Sequence, residues 1–343
     1  MKDERVLVTG GTGFIAQYCM LALLDAGYRV RTTVRSLDRE AEVREHLRVG
    51  GVEAGDRLSF VVANLTDDRG WPEAVTGCAY IMHGASPTPS GDQSREEDWV
   101  IPAVEGNLRV LRAARDAGVR RVVLTSAFGA IGVGHGPNYR RPFDETDWSD
   151  LSGNVGLYQK SKTLSERAAW DFHAREGNGL ELTAINPVAV YGPVLGADYS
   201  HSIRIITNML NGQPGCLNVN SCCVDVRDVA DLHLRAMTDV AANGERFLAT
   251  SGESMWMIEI AELLRQHFGE KAAGVPTEVW SDEQVRILGQ TNPQLKAIVP
   301  LLNYDMSATA KKAEQLLGWA PRSREEAITA TADSLFRLGL VGK

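Results

Sequence analysis

The chain opens with a short apolar run, Arg5-Val6-Leu7-Val8-Thr9, that stops at Gly10-Gly11-Thr12-Gly13. Apolar positions then recur at helical spacing through Leu21, Leu24 and Ala26 to Gly27, which predicts strand, tight turn, helix. Tyr28 to Val34 alternates as a second strand, and Asp38 to Leu47 reads as helix. Leu58 to Ala63 and Ala79 to His83 are the third and fourth strands. Asn107 to Ala117 is helical, and Arg121 to Thr125 is the fifth strand. Leu157, Leu164, Ala168, Ala169 and Phe172 are apolar at mixed three- and four-residue spacing, and no proline falls between 151 and 186. A long helix is expected there, followed by a sixth strand, Leu182 to Asn186. Strands alternating with helices imply a parallel sheet wrapped on both faces, with right-handed crossovers.

After Pro187 the pattern becomes irregular and helix-rich: Ser202 to Leu210, Val226 to Met237, Ser254 to Phe268, Ser307 to Leu317 and Glu325 to Leu338. Short strands intervene at Cys223 to Asp225 and Arg246 to Ala249. The expected division is a nucleotide-binding part over 1–187, which also receives elements from about 222–250, and a smaller substrate lobe over 188–343. No fixed-period repeat or low-complexity tract is visible.

Composition narrows the classes. Apolar content of 44% and charged content of 23% are those of a soluble globular protein. A net charge of −8 without a basic cluster argues against a nucleic-acid partner. No run of about 18 apolar residues marks a membrane span. Met1 to Arg5 leads straight into a strand and leaves no room for a signal peptide, so a cytoplasmic protein is expected. Cys19, Cys78, Cys216, Cys222 and Cys223 are odd in number and spaced like neither a metal knuckle nor a disulfide framework. Reduced, buried thiols are expected, and metal ligation has no support.

Two stretches carry candidate chemistry. The first is the glycine turn. Gly10 and Gly13 let the backbone approach a ligand where a strand becomes a helix, and the helix N-terminus offers N–H groups and partial positive charge to a pyrophosphate. Ala16 is the third small position. At the end of the second strand, a carboxylate would bind a free ribose 2′-hydroxyl; this chain has Arg35 instead, with Ser36 beside it and Arg39 close by. A guanidinium fork suits a phosphate dianion, so NADP(H) is expected over NAD(H). The second stretch is Tyr158-Gln159-Lys160-Ser161-Lys162. Four residues apart on a helix, Tyr158 and Lys162 stack on one face, with Cβ atoms about 5–6 Å apart. A nearby ammonium favours the phenolate, which makes the pair a plausible proton donor and acceptor. A solvated helix face can give the same spacing, so the pair gains meaning from the turn.

Together, Thr9 to Ile15, Arg35, Tyr158 to Glu166 and Asn186-Pro187 resemble the extended short-chain dehydrogenases/reductases. Within them they resemble the dihydroflavonol reductase / cinnamoyl-CoA reductase-like branch, for which Tyr-x-x-Ser-Lys-x-Leu-x-Glu is typical. The resemblance runs from about residue 5 to about 340, is dense up to Tyr191-Gly192-Pro193, returns at Val224 to Ala230 and Leu317 to Arg322, and is thin between 255 and 305. It implies an α/β fold: a Rossmann-type doubly wound parallel sheet with a smaller, helix-rich C-terminal substrate lobe. It implies that Gly10, Thr12, Gly13, Phe14 and Ile15 line the pyrophosphate and that Arg35 holds the 2′-phosphate. Asn64 and Leu65 would sit by the adenine, Ala85 and Ser86 by the nicotinamide ribose with Tyr158 and Lys162, Pro187 and Val188 near the carboxamide, and Ser202 near the phosphates. Thr125 is counted with the cofactor contacts. The family's catalytic serine ends a Thr-Ser-Ser run; here the run is Thr125-Ser126-Ala127. Three readings stay open: a backbone shift brings Ser126 in, Thr125 or a water substitutes, or Tyr158 acts without help.

Candidate substrate walls are Pro87-Thr88-Pro89-Ser90, Phe128, Gly132 to Tyr139, Tyr191 to Tyr199, Met255, Trp256, Met257 and Trp280. Their apolar character suits a hydrophobic aldehyde or ketone better than a nucleotide sugar. His83 is expected buried and neutral, His135 to border the substrate or not, and Asp225 to cap a helix with Arg227 as its ion-pair partner. The functions weighed are an NADPH-dependent carbonyl reductase, a sugar-nucleotide epimerase or dehydratase that retains NAD, and a redox-sensing regulator that binds NADPH without turnover. A monomer or a homodimer is compatible with each.

Overall fold

The computed structural model describes residues 4–87, 95–136, 139 and 141–342. The expectations placed on Met1 to Asp3, Thr88 to Ser90, Pro137 and Asn138 lie outside the described residues. Seven parallel strands form the central sheet: β1 (Arg5–Thr9), β2 (Arg29–Val34), β3 (Leu58–Val62), β4 (Cys78–His83), β5 (Arg121–Thr125), β6 (Glu181–Pro187) and β10 (Arg246–Ala249), in spatial order β10-β6-β5-β4-β1-β2-β3. The order reverses between β1 and β4, and that is where a crevice opens at the carboxyl ends of the strands. Helices cover both faces. α1 (Phe14–Asp25), α2 (Glu40–Val49) and α7 (Val226–Thr238) lie over one cluster of buried apolar side chains. α3 (Trp71–Val75), α4 (Glu96–Asp116) and α5 (Leu157–Glu176) lie over the other.

The remaining chain adds β7 (Ala189–Tyr191) paired in parallel with β9 (Cys223–Asp225), and β8 (Asn220–Ser221) paired antiparallel with β11 (Met255–Trp256). It also adds α6 (His201–Leu210), α8 (Met257–Phe268), α9 (Asp282–Leu288), α10 (Pro293–Ile298), α11 (Lys311–Leu317) and α12 (Arg324–Arg337). α12 is tied to the segment after β7, because Thr331 Oγ1 accepts the Gly192 N–H at 2.7 Å and Ser334 Oγ accepts that of Val194 at 2.8 Å. A third apolar cluster, with Phe128, Val133, Phe143, Leu248 and Met306, sits at the carboxyl side.

The strands follow from their sequences: β5 has the apolar centre Val122-Val123-Leu124, and both β5 and β6 are almost wholly buried, as parallel strands covered on both faces are. Helix starts depart further from the sequence pattern. α4 begins at Glu96, well before the expected Asn107, and carries Pro102 inside. Its opening Glu96-Glu97-Asp98 suits the positive helix end, but three acids and a proline conceal the apolar period. The opposite, amino end of the sheet is stitched by arginines. Arg31 of β2 donates to the Glu73, Ala74 and Thr76 carbonyls at the end of α3, at 2.8, 3.0 and 2.8 Å. Arg121 of β5 donates to Ala236 and Asp239 at the end of α7, at 2.7 and 2.5 Å. These bonds satisfy helix carbonyls that have no partner within their own helix.

Candidate active site

The turn between β1 and α1 is tight for a visible reason. Gly10 adopts φ +74°, and a Cβ on it would fall 3.0 Å from the Ala85 Cα beyond β4. Its N–H donates to Thr33 Oγ1 at 3.0 Å, and the Gly13 N–H donates back to the Gly10 carbonyl at 2.8 Å. Gly13 caps α1 without a side-chain hydrogen bond, and the first turn of α1 holds no acid. Backbone N–H groups there face no competing carboxylate of their own helix, so the turn fits a pyrophosphate. Thr12 and Ile15 are half-buried and Phe14 is buried. The Thr12 carbonyl accepts from Gln17 Nε2 at 3.0 Å.

Arg35 follows β2 directly. It is exposed and makes no hydrogen bond or ion pair with the described residues, so its guanidinium is available to a phosphate. Arg39 is not so placed: it is bound to Glu42 and to Asp198. At the end of β3, exposed Asn64 accepts the Thr66 N–H at 3.2 Å, and Leu65 is buried. Ser86 is exposed and Ala85 half-buried. Pro187 ends β6, Val188 donates its N–H to the Ala249 carbonyl at 3.2 Å, and Ser202 lies half-buried in the first turn of α6.

Tyr158 and Lys162 stand one turn apart on α5, with Lys162 Nζ 5.9 Å from the Tyr158 ring centroid. Neither the phenol nor the ammonium has a hydrogen-bond partner among the described residues. Trp99 of α4 meets the Tyr158 ring edge to face, at 6.2 Å between centroids. Burial pulls Lys162 down to about 8, and the negative charge of Glu166 partly resists that fall. The phenol differs from expectation: burial pushes it up, where the ammonium was expected to draw it down. The amine stands off the ring and loses part of its own charge to burial.

Beneath the pair lies a buried polar layer. Glu166, 1% exposed, accepts from Ser126 Oγ at 2.5 Å, Asn186 Nδ2 at 2.7 Å, Trp170 Nε1 at 3.2 Å and Arg246 Nε at 2.6 Å. The Ser126 hydroxyl therefore points at Glu166. The Thr125 hydroxyl lies 2.8 Å from His233 Nε2; since His233 Nδ1 donates to the Val229 carbonyl at 2.8 Å, Nε2 is the acceptor and Thr125 the donor. Burial holds His233 and His83 near 4, hence neutral. His83 links the turn to the helices. The Ala85 N–H donates to Thr9 Oγ1 at 3.0 Å, Thr9 to His83 Nδ1 at 2.7 Å, and His83 Nε2 to Asn107 Oδ1 at 2.9 Å. Asn107 Nδ2 then donates to Ser165 Oγ at 2.5 Å. A small pocket opens between these layers, walled by Ala85, Thr125, Ser126, Lys162 and Glu166 among others.

The expected substrate walls divide. Phe128 and Val133 pack into the third apolar cluster with Phe143 and Val188, and Tyr139 stacks on Phe143 at 4.1 Å. His135 accepts no special role there; its Nε2 donates to the Ile131 carbonyl at 3.2 Å. Tyr191, Val194, Leu195 and Met255 are buried core and line no open surface. Asp225 caps α7 by accepting the Arg227 N–H at 2.8 Å, and Arg227 returns an ion pair at 2.7 Å. All five cysteines are free and buried. Among the described residues no group of metal-ligating side chains gathers and no helix is long and apolar enough to cross a membrane. Glu166, Asn107 and Trp99 were given no role from sequence. The first was within reach, since it repeats the four-residue step from Lys162; the others become neighbours of the site only through the packing of α4 on α5.

Comparison with known proteins bears on the family and the fold. The family model described as the NAD dependent epimerase/dehydratase family matches residues 6–249. Cinnamoyl-CoA reductase 1 of Petunia hybrida is 36% identical over 276 residues, 79% of each chain. Dihydroflavonol 4-reductase of Hordeum vulgare is 32% identical over 284 residues, covering 79% of this chain and 78% of that one. The crystal structure of yeast methylglyoxal/isovaleraldehyde reductase Gre2 complexed with NADPH superposes with a TM-score of 0.80 at 26% identity, over 98% of this chain and 100% of that one. The family match over residues 6–249 and these relatives place the chain, with its seven-stranded parallel sheet, in the NAD dependent epimerase/dehydratase family, in its dihydroflavonol reductase / cinnamoyl-CoA reductase-like branch of extended short-chain dehydrogenases/reductases.

Proposed function

We propose that this chain is an NADPH-dependent reductase of hydrophobic aldehydes and ketones. It is an oxidoreductase that uses NADP(H) and acts on carbonyl-type substrates. One observation supports the finer reading: Tyr158 and Lys162 stand one turn apart on α5, unpartnered among the described residues, and Lys162 shares a pocket wall with Ala85, against which the turn packs Gly10. Bound NADPH supplies a hydride to the carbonyl carbon. Tyr158 holds the proton that the carbonyl oxygen takes, so the product is the alcohol. Lys162, mostly charged at pH 7, supplies donors for ribose hydroxyls and a positive field for the tyrosinate left behind. Arg35 holds the 2′-phosphate. Phe128 and Val188, which share an apolar cluster at the end of β5 and β6, favour an apolar substrate body. Five buried thiols suit a reducing compartment, and we place the protein in the cytoplasm as a monomer or homodimer.

A second reading has its own support. Ala127 stands where the branch has serine, and the Ser126 and Thr125 hydroxyls are both spent on buried acceptors. That favours Tyr158 acting without a second donor, or a protein that binds NADPH without turning over. Mixing the protein with NADPH and a panel of aromatic and aliphatic aldehydes and β-ketoesters, and following nicotinamide absorbance, separates them. Consumption supports the reductase; tight binding without consumption supports the regulator. NAD released on denaturation would instead support an epimerase, against which Arg35 stands.

A further inference from the structure

Arg35 and Arg39 follow the end of β2 four positions apart but keep different company. Arg35 is free among the described residues. Arg39 is held by Glu42, with Nη2 to Oε1 at 2.7 Å, and by Asp198 Oδ2 at 3.0 Å. Asp198 comes from the segment between β7 and α6, 159 positions along the chain. That segment is anchored as far as Gly196. The Tyr18 hydroxyl donates to the Pro193 carbonyl at 2.8 Å, and the Val194 N–H donates to Ser334 Oγ at 2.8 Å. The His46 ring lies so close to Gly196 that a Cβ there would meet Nε2 at 2.1 Å. His46 in turn accepts from Gln17 at 2.9 Å, and Gln17 also donates to Thr12 of the glycine turn. Asp198 is therefore delivered to Arg39 by a segment anchored against the nucleotide-binding turn.

We propose that Asp198 sets cofactor selectivity, its carboxylate competing with the ribose 2′-phosphate for Arg39. The proposal rests on the reading that Arg35 meets that phosphate. A phosphate dianion is the stronger partner for a guanidinium. The Arg39–Asp198 pair, with side chains 37% and 60% exposed, is of the kind that is easily displaced. NADPH draws Arg39 away at the expense of this pair, whereas NADH leaves it intact. Asp198 thus narrows the gap between the two nucleotides, an unfavourable element built against the tighter ligand. Ser36 and Asp38 do not share the contact, since the Ser36 hydroxyl donates to Asp38 at 2.8 Å.

Isothermal titration of the whole chain with NADPH and with NADH tests this without turnover. Asp198→Asn is expected to tighten NADPH by about two- to fivefold, the scale of an exposed ion pair, and to leave NADH unchanged. Arg39→Gln is expected to weaken NADPH and to abolish the gain when combined with Asp198→Asn. An unchanged NADPH-to-NADH ratio in Asp198→Asn, or weaker NADPH binding, overturns the proposal. Arg35→Gln is the separate check. If it fails to lower the ratio, the reading beneath has failed; if it lowers the ratio while Asp198→Asn does nothing, only the role of Asp198 has failed.

Discussion

Replacing Glu166 with alanine removes one acceptor from four donors at once. Ser126, Asn186, Trp170 and Arg246 all turn toward its carboxylate, and the residue is 1% exposed. Arg246 cannot follow its lost charge into solvent: its Nη1 donates to the Glu145 and Asp147 carbonyls at 2.9 and 2.8 Å, and its guanidinium lies 3.8 Å from the Trp148 ring centroid. The variant therefore strands a buried cation. Removing one partner of such a pair costs about 3–5 kcal/mol, a large share of the about 5–15 kcal/mol that holds a typical protein folded. Urea unfolding followed by tryptophan fluorescence measures the loss. Glu166→Leu combined with Arg246→Met should recover part of it, because the buried charge then disappears with its partner while Ser126, Asn186 and Trp170 still lack their acceptor. A loss below about 1 kcal/mol in Glu166→Ala, or a double variant no better than the single, would refute the buried-pair argument. Glu166→Gln, the milder change, has a second readout. Without the carboxylate that supports its charge, Lys162 should titrate below its present value of about 8, and the pH limb of kcat/KM should move down with it.

Tyr158→Phe should lower kcat by about 10²–10⁴ while leaving the NADPH Kd within a few-fold, as measured by turnover beside titration. For the parent protein, Lys162 loses its charge as pH rises through about 8, so carbonyl reduction should fall above that pH, and Lys162→Met should flatten the limb. Buried His83 and His233, held at about 4, lie below their ordinary 6.5, so the unfolded chain binds protons first. Stability should therefore be full above pH 6.5 and decline as pH falls toward 4, read as urea midpoints across that window. Gly10→Val forces a branched side chain into φ +74° and against Ala85, and should cost about 1–3 kcal/mol and most nucleotide affinity in parallel melting and titration experiments.

Much of the sheet was legible because its strands are short runs with an apolar centre, and β1, β5 and β10 have the bounds expected from sequence. Helices whose period is interrupted were not: Pro102 and three acids hid the first half of α4, and five residues were too few for α3 to show a period. The turn and the Tyr158–Lys162 step were legible as local spacings. The direction of the Tyr158 shift was not, because burial is a property of the packed site and outweighs an amine whose distance only the fold sets. The same holds for Arg39, which lies four positions from Arg35 in sequence but is claimed by Asp198 from far along the chain. The candidate walls around Tyr191 and Met255 failed for a related reason: an apolar residue near a site in sequence is as readily part of the core behind it.

The arginines at the amino rim have a mechanical consequence. Because Arg31 and Arg121 grow from strands yet terminate α3 and α7, neither helix can fray from its last turn without breaking a bond to the sheet. Amides in the final turns of these helices should exchange with deuterium at the rate of global opening rather than through local breathing, and this pole would be the last to loosen when the molecule is warmed.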